Sequence, residues 1–210
     1  MINVFIADDH TLIREGIKKL LAQEIDIKLV GETSNPYEVV DQIAKSKCDI
    51  LILDLSMPGK NGLDVLKEIK VLVPQVKVLI MTMLPEDQFA KRTLKAGASG
   101  YITKDRAGEE LITAIRRVAD GRKYVSQSLA ELLVDDLDGT SQKPLHEILS
   151  DREFQILKMM AKGISQTAIA DELSISISTV NTYRGRIFEK LNLHSNAELI
   201  HFAFQNNLNE

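Results

Sequence analysis

The sequence predicts a two-domain protein: a doubly wound α/β domain on a five-stranded parallel sheet, followed by an all-α domain of four helices. Three observations predict it. Up to about residue 120, apolar runs of strand length alternate with amphipathic stretches of helix length, the pattern of a parallel sheet covered on both faces. Residues Leu137 to Pro144 (LDGTSQKP) are polar with glycine and proline, a composition that ends regular structure. Beyond them the apolar periodicity is helical, without strand-like alternation. With 210 residues the chain can hold two small domains with separate cores. The reading assigns 1–120 to the first domain and 145–210 to the second. Residues 121–144 form the linker, which includes the end of the first domain's flanking helix.

Taken in order, the predicted strands are Ile2 to Ala7, Ile27 to Glu32, Asp49 to Asp54, Val76 to Thr82 and Ser99 to Ile102. Helical patterns lie between and after them at Thr11 to Gln23, Pro36 to Lys45, Gly62 to Val71, Glu86 to Lys95 and Gly108 to Gly121. In the first of these, Leu12, Ile13, Ile17, Leu20 and Leu21 fall near one face of a 3.6-residue period. Four more helices follow the linker: Asp151 to Lys162, Gln166 to Leu173, Thr179 to Leu191 and Asn196 to Asn206. Ser150 with Glu153, and Ser195 with Glu198, have the spacing of capping boxes at the first and last of them.

Composition excludes several classes. Hydrophobic residues make up 44% and charged residues 27%, the balance of an ordinary globular protein and not of a membrane or disordered one. The apolar start, Met1 to Ala7, ends at Asp8 and Asp9 and is too short for a signal sequence. The single cysteine, Cys48, cannot form an internal disulfide, and a cytoplasmic location is expected. The net charge is -4, and residues 145–210 hold 6 Lys+Arg against 8 Asp+Glu. Any nucleic-acid contact must therefore rest on a local patch and be sensitive to salt.

In a doubly wound sheet, functional groups gather where the C-terminal ends of the strands open into a crevice. The polar residues of note sit there. Asp8 and Asp9 end the first strand, Asp54 the third and Thr82 the fourth, while Lys104 follows the fifth. Three carboxylates in one cleft repel each other unless a cation neutralises them. Oxygen ligands without a Cys or His ligand cluster favour Mg²⁺, which keeps several waters and accepts a phosphoryl oxygen. One carboxylate could then attack a phosphoryl donor, with Lys104 and Thr82 meeting the phosphoryl oxygens. A phosphatase of the haloacid-dehalogenase type would carry its nucleophile on the first strand in a D-x-D pattern. Asp8-Asp9-His10 lacks that spacing.

This constellation resembles the CheY-like receiver family over about residues 1 to 120. The resemblance implies that Asp54 is the phosphoacceptor and that Asp8, Asp9, Asp54 and the backbone carbonyl of Ser56 bind Mg²⁺. It makes Thr82 the switch hydroxyl, Tyr101 the aromatic that turns inward on activation, and Lys104 the phosphate partner. Met57, Pro58 and Gly59 complete the usual turn. Receivers often follow the lysine with proline, whereas Asp105 stands here. The NarL/FixJ branch commonly lacks that proline.

On the third C-terminal helix, Val180, Ile187 and Leu191 form a core-facing stripe. Opposite lie Thr182, Gly185, Arg186 and Glu189, with Asn181 at the flank. Such small, amide and guanidinium side chains suit a major groove. Ser178 is expected to cap this helix. Gly185 is costly inside a helix by roughly 1 kcal/mol relative to Ala; close approach to DNA and a tolerated surface glycine both fit it. Between Leu149 and Ala203 the sequence is similar to the LuxR/NarL-type helix-turn-helix, on residues that include Glu153, Ile156, Gly163, Ile169, Leu173, Thr179, Val180, Ile187 and Lys190. Asn181 and Tyr183 replace residues common there. The resemblance implies a recognition helix over Thr179 to Leu191, with Thr179, Asn181, Thr182, Arg184, Gly185, Arg186 and Lys190 facing double-stranded DNA. Arg184 and Lys190 would contact phosphates. The last helix carries surplus apolar residues, Leu199, Ile200, Phe202, Ala203 and Phe204, which suits a homodimer.

The expectation is a two-component response regulator, not an enzyme in its own right. A sensor histidine kinase would phosphorylate Asp54, and the modification would switch DNA binding. A competing reading has the C-terminal helices bind a protein or RNA. The acidic balance leans that way, and the helix-turn-helix match leans heavily toward DNA.

Overall fold

In the computed structural model the described residues are 1–137, 148–206 and 208. The chain divides into two compact units, Met1–Thr140 and Ser141–Glu210. Residues 138–144 of the expected linker lie outside the described residues.

The first unit is a parallel five-stranded sheet in the order β2-β1-β3-β4-β5. Its strands are β1 (Ile2–Ala7), β2 (Ile27–Thr33), β3 (Ile50–Leu53), β4 (Lys77–Thr82) and β5 (Gly100–Thr103). Its helices are α1 (Thr11–Leu21), α2 (Val39–Lys45), α3 (Gly62–Leu72), α4 (Glu86–Lys95), α5 (Ala107–Ala119) and α6 (Gln127–Leu137). The order reverses at β1, which pairs with β2 on one side and β3 on the other. That reversal opens a crevice above the strand ends. Alternate strand residues supply the two faces. Val4, Ile6, Ile50, Ile52, Leu79, Met81 and Ile102 pack with Ile17 and Leu21 of α1 and Leu111, Ile115 and Val118 of α5. Their neighbours Phe5, Leu51, Leu53, Val78 and Ile80 are also buried, so the central strands are apolar on both sides, as predicted.

The sixth helix is a departure from prediction. Ser126 Oγ accepts from Leu129 N at 3.0 Å and donates to Glu86 Oε2 at 2.8 Å, which anchors the start of α6 at the start of α4. Just before it, Tyr124 N donates to Ser99 O and Tyr124 O accepts from Tyr101 N, both at 3.0 Å. These bonds cover the free edge of β5, which would otherwise expose unpaired backbone. Residues assigned to the linker thus form part of the first unit.

The second unit holds α7 (Asp151–Ala161), α8 (Gln166–Glu172), α9 (Ile177–Leu191) and α10 (Asn196–Gln205). Each begins at a serine whose side chain accepts the N–H three residues on: Ser150, Ser165, Ser176 and Ser195. Ser150 and Glu153 form the full capping box. The cap of α9 is Ser176 and not the expected Ser178, which falls in the first turn. Ser174 at φ 51 makes the sharp turn between α8 and α9, and Ile175 N closes it on Ala170 O at 2.9 Å. Phe154, Leu157, Ile169, Val180, Ile187 and Ala203 are buried between the helices.

Gly62 fixes how close α3 comes to the end of β3. A Cβ there would stand 2.5 Å from Asp54 O and 2.6 Å from Leu55 Cα, backbone that cannot step aside. Gly62→Ala should destabilise the first unit by about 1–3 kcal/mol through overpacking. Urea unfolding of the full chain should show that unit's transition at lower denaturant, and an unmoved midpoint would refute the close-approach argument.

Candidate functional site

Four strand ends and their loops deliver the acidic pocket. Asp8 follows β1, where its backbone N–H donates to Thr33 O at 3.1 Å; Asp54 follows β3, where its N–H donates to Ala7 O at 2.9 Å. Both are buried, at 0% and 1% exposure. Each receives a backbone N–H two residues on: Asp8 Oδ1 from His10 N at 2.8 Å and Asp54 Oδ1 from Ser56 N at 3.1 Å. Arg14 from α1 donates to Asp8 O at 2.8 Å and braces the loop.

Lys104 closes the pocket. Its backbone N–H donates to Thr82 O at 2.9 Å, and its ammonium reaches across three strands to Asp54 Oδ2 at 2.7 Å and Asp8 Oδ2 at 2.8 Å. Burial works against the charge, but the hydrogen bonds to Asp54 and Asp8 outweigh it and hold the ammonium above the usual lysine range. Asp9 is the carboxylate that Lys104 does not serve. Its Oδ1 is buried and accepts no hydrogen bond; His10 Nδ1 lies 3.0 Å away. One ammonium among three carboxylates leaves a local deficit of positive charge, and a divalent cation would supply it. Asp8, Asp9, His10 and Asp54 each bring a ligand atom within 4.8 Å of one another, so the donor set fits the metal that the resemblance implies.

Beside the carboxylates, Thr82 is fully buried. Its Oγ1 lies 3.4 Å from Ser56 Oγ and accepts from Leu84 N at 3.4 Å. Both contacts are at the long limit, so recruiting this hydroxyl forfeits little. Tyr101 is 1% exposed, and its hydroxyl donates to Leu84 O at 2.9 Å. Burial pushes its phenol up, so the donor stays protonated. The ring points inward, the orientation that the resemblance associates with the switch aromatic. His10 was given no role from sequence. It occupies the position before α1, where a cap is expected, yet its side chain makes no cap bond.

The second cluster lies on α9. Val180, Ile187 and Leu191 are buried, while Asn181, Thr182, Gly185 and Arg186 are exposed, so the predicted stripe and its opposite face hold. Thr179 Oγ1 is drawn into the cap, 2.7 Å from Ser176 Oγ, and Thr182 Oγ1 donates to Ser178 O at 3.0 Å. Arg186 lies with its guanidinium carbon 5.9 Å from the Tyr183 ring centroid. Arg184 and Lys190 have partners within the unit. Arg184 donates to Asn196 Oδ1 at 3.3 and 3.2 Å and stacks 4.7 Å from the Phe188 ring centroid. Lys190 Nζ donates to Glu153 Oε2 at 2.7 Å. Burial favours the neutral acid of Glu153, but bonds from Lys190 and Ser150 prevail and hold its carboxyl below the usual glutamate range. Around Gly185 a Cβ would meet nothing within 4 Å, so no internal contact accounts for the glycine.

Among the described residues no helix is long and apolar enough to cross a membrane. Residues 4–116 match the family model of the response regulator receiver domain, and residues 147–203 match that of bacterial regulatory proteins, luxR family. The chain is 36% identical to the response regulator UvrY of Escherichia coli (strain K12), over 99% of this chain and 96% of that protein. It is 37% identical to the oxygen regulatory protein NreC of Staphylococcus epidermidis, over 99% of each. Among solved structures, RcsB from Salmonella enterica serovar Typhimurium, bound to promoter rprA in the presence of the phosphomimetic BeF3−, matches with a TM-score of 0.66 at 27% identity, over 96% of this chain and 97% of that one. A structure of two RcsB dimers bound to two parallel DNAs matches at 0.61 and 28%, with the same coverage of each chain. The pocket at the strand ends, the helix-turn-helix and these matches over nearly the whole chain place the protein in the NarL/FixJ family of two-component response regulators, with a receiver and a LuxR-type DNA-binding domain.

Proposed function

We propose that phosphorylation of Asp54 by a sensor histidine kinase, with Mg²⁺ in the acidic pocket, switches this protein's binding to specific double-stranded DNA sites and so regulates transcription. The observation that carries the reading is the Lys104 ammonium between Asp8 and Asp54, with the Thr82 and Ser56 hydroxyls at the same rim.

In this reading an Asp54 carboxylate oxygen attacks the phosphorus of a phosphohistidine. An oxygen–phosphorus bond forms, the phosphorus–nitrogen bond breaks, and the imidazole leaves with the bonding pair. When bound through Asp8, Asp9, Asp54 and the Ser56 carbonyl, Mg²⁺ supplies charge neutralisation to the transferred group. Lys104 transfers its hydrogen bond to a phosphoryl oxygen, and Thr82 leaves its two long contacts to donate to another. Leu84 shares the Thr82 loop and accepts from Tyr101, so movement of Thr82 reaches the ring directly.

Asn181, Thr182 and Arg186 would read base edges in the major groove, with Thr179 in the first turn of α9. Arg184 and Lys190, oriented by Asn196 and Glu153, would meet phosphates. Ile200 and Phe204 are exposed on α10 at 48% and 68%, and their apolar surface supports a homodimer that reads half-sites about 10 base pairs apart. The protein would act in the cytoplasm, where the kinase's phosphohistidine and chromosomal DNA are both within reach.

Two experiments test the two ends of this reading. Incubated with a small phosphodonor and Mg²⁺, wild-type protein should gain an acyl phosphate by mass spectrometry and Asp54→Asn should not; full modification of the variant would displace Asp54 as the acceptor. Gly185→Ala should stabilise the DNA-binding domain by about 0.5–1 kcal/mol and weaken binding to a footprinted operator several-fold. Unchanged affinity would make Gly185 an ordinary surface glycine.

A further inference from the structure

His10 is the one member of the pocket that the reading above leaves without a task. Its placement is specific. The residue stands at the N-cap position of α1 in extended conformation, φ -81 and ψ 104, yet its side chain caps nothing. The ring turns instead toward the carboxylates, with Nδ1 at 3.1 Å from Asp8 Oδ1, 3.0 Å from Asp9 Oδ1 and 3.8 Å from Asp54 Oδ2. Ligands about 2.1 Å from a six-coordinate divalent ion stand about 3 Å apart when adjacent. The two short distances match that edge.

A second observation concerns the cation already in the pocket. The Lys104 ammonium, which can only donate, lies 3.2 Å from the same Nδ1. Two carboxylate oxygens and one ammonium thus face one ring nitrogen. A protonated Nδ1 would serve the carboxylates, and a bare one would serve the ammonium. A metal ion resolves the conflict by gathering all of the acceptors around itself, including Asp9 Oδ1, which has no hydrogen bond.

We propose that His10 Nδ1 is a ligand of the divalent ion in this pocket, and that the site therefore favours first-row transition ions such as Mn²⁺ and Co²⁺ over Mg²⁺ more strongly than its oxygen ligands alone would. The inference rests on the reading that the pocket binds a divalent ion. Its chemistry is that of ligand softness: carboxylates, carbonyls and waters suit Mg²⁺, whereas an imidazole nitrogen adds to the affinity of later first-row ions. The side chain is 53% exposed, so the ring sits at the pocket mouth and its replacement leaves the core intact.

The test measures binding of Mg²⁺, Mn²⁺ and Co²⁺ to the full-length protein by calorimetry, without phosphodonor, for wild type and His10→Phe. The variant should lose about tenfold or more in affinity for Mn²⁺ and Co²⁺ and change far less for Mg²⁺. Electron spin-echo spectra of the Mn²⁺ complex should show nitrogen modulation in wild type and none in His10→Phe. If the variant keeps the wild-type ratio of affinities, or wild type shows no nitrogen modulation, His10 is not a ligand. If wild type binds none of the three ions, the metal pocket itself is wrong, a different failure with a different signature. The wild-type spectrum decides the question alone should the variant fold poorly.

Discussion

The receiver half of the molecule is arranged around a buried charge problem. Asp8 and Asp54 sit at the ends of strands that are apolar on both faces, at 0% and 1% exposure, where an unpaired carboxylate would be strongly disfavoured. Lys104 answers for both with bonds of 2.8 and 2.7 Å. The three residues come from β1, β3 and the end of β5, so the pair of bonds also fixes the crevice that the strand order creates. Because the lysine is held above its usual range, its stabilising charge is fully present below the unfolded lysine pKa, about 10.4, and is lost only as pH rises through the still higher folded value. At neutral pH the ammonium therefore stays charged, and an anion or cation at the same oxygens would compete for its bonds.

The rest of the receiver positions groups next to those bonds. Gly62 lets α3 press on the backbone of Asp54, and Thr82 lies beside Ser56 by loose contacts that are cheap to exchange. From Thr82 the same loop runs through Leu84, which holds the Tyr101 hydroxyl, to Glu86, which holds Ser126 at the start of α6. These contacts are contiguous from Ser56, two residues beyond Asp54, to the last described helix before the second unit. Contiguity is a geometric fact; coupling along it requires that some element in the run have two discrete arrangements, and the loop with the 3.4 Å bonds is the element least committed to one.

Much of this was legible in the sequence because the signals are local. An apolar run that closes on Asp54, and Asp8 and Asp9 directly after Ala7, mark strand ends, and in this topology strand ends share one crevice. What was not legible depends on partners distant in the chain. Ser126 begins a helix because Glu86, forty residues earlier, receives its hydroxyl, and no local pattern around Gly121 announces that. Ser178 and Ser176 have equal capping chemistry, and the turn at Ser174 decided between them. His10 reads as an ordinary pre-helix residue; the clue was its direct succession to two acids, which puts its ring beside their carboxylates whenever it does not cap. Arg184 and Lys190 read as phosphate contacts, and nothing local showed their partners within the unit, Asn196 and Glu153, which lie on other helices.

Those last two pairs bear on how an acidic domain can bind DNA at all. Residues 145–210 carry 8 acidic side chains against 6 basic ones, yet the balance on the α9 face is not the balance of the domain. Glu153 is buried and joined to Lys190, so its charge is largely neutralised where it sits. The same bond holds Lys190 away from free rotation, and Asn196 with the Phe188 ring does likewise for Arg184. Cations oriented before contact lose less side-chain entropy on binding, but they are few. A surface with so few cations gains little from counterion release, the term that drives non-specific association. In the proposed reading affinity then comes from fit: the amide and hydroxyl of Asn181 and Thr182 would enter the groove, Gly185 would give room, and a second copy would engage through α10. On that reading a single unit would bind weakly anywhere and two units in the right register would bind well at one place, the condition under which control of pairing becomes control of binding.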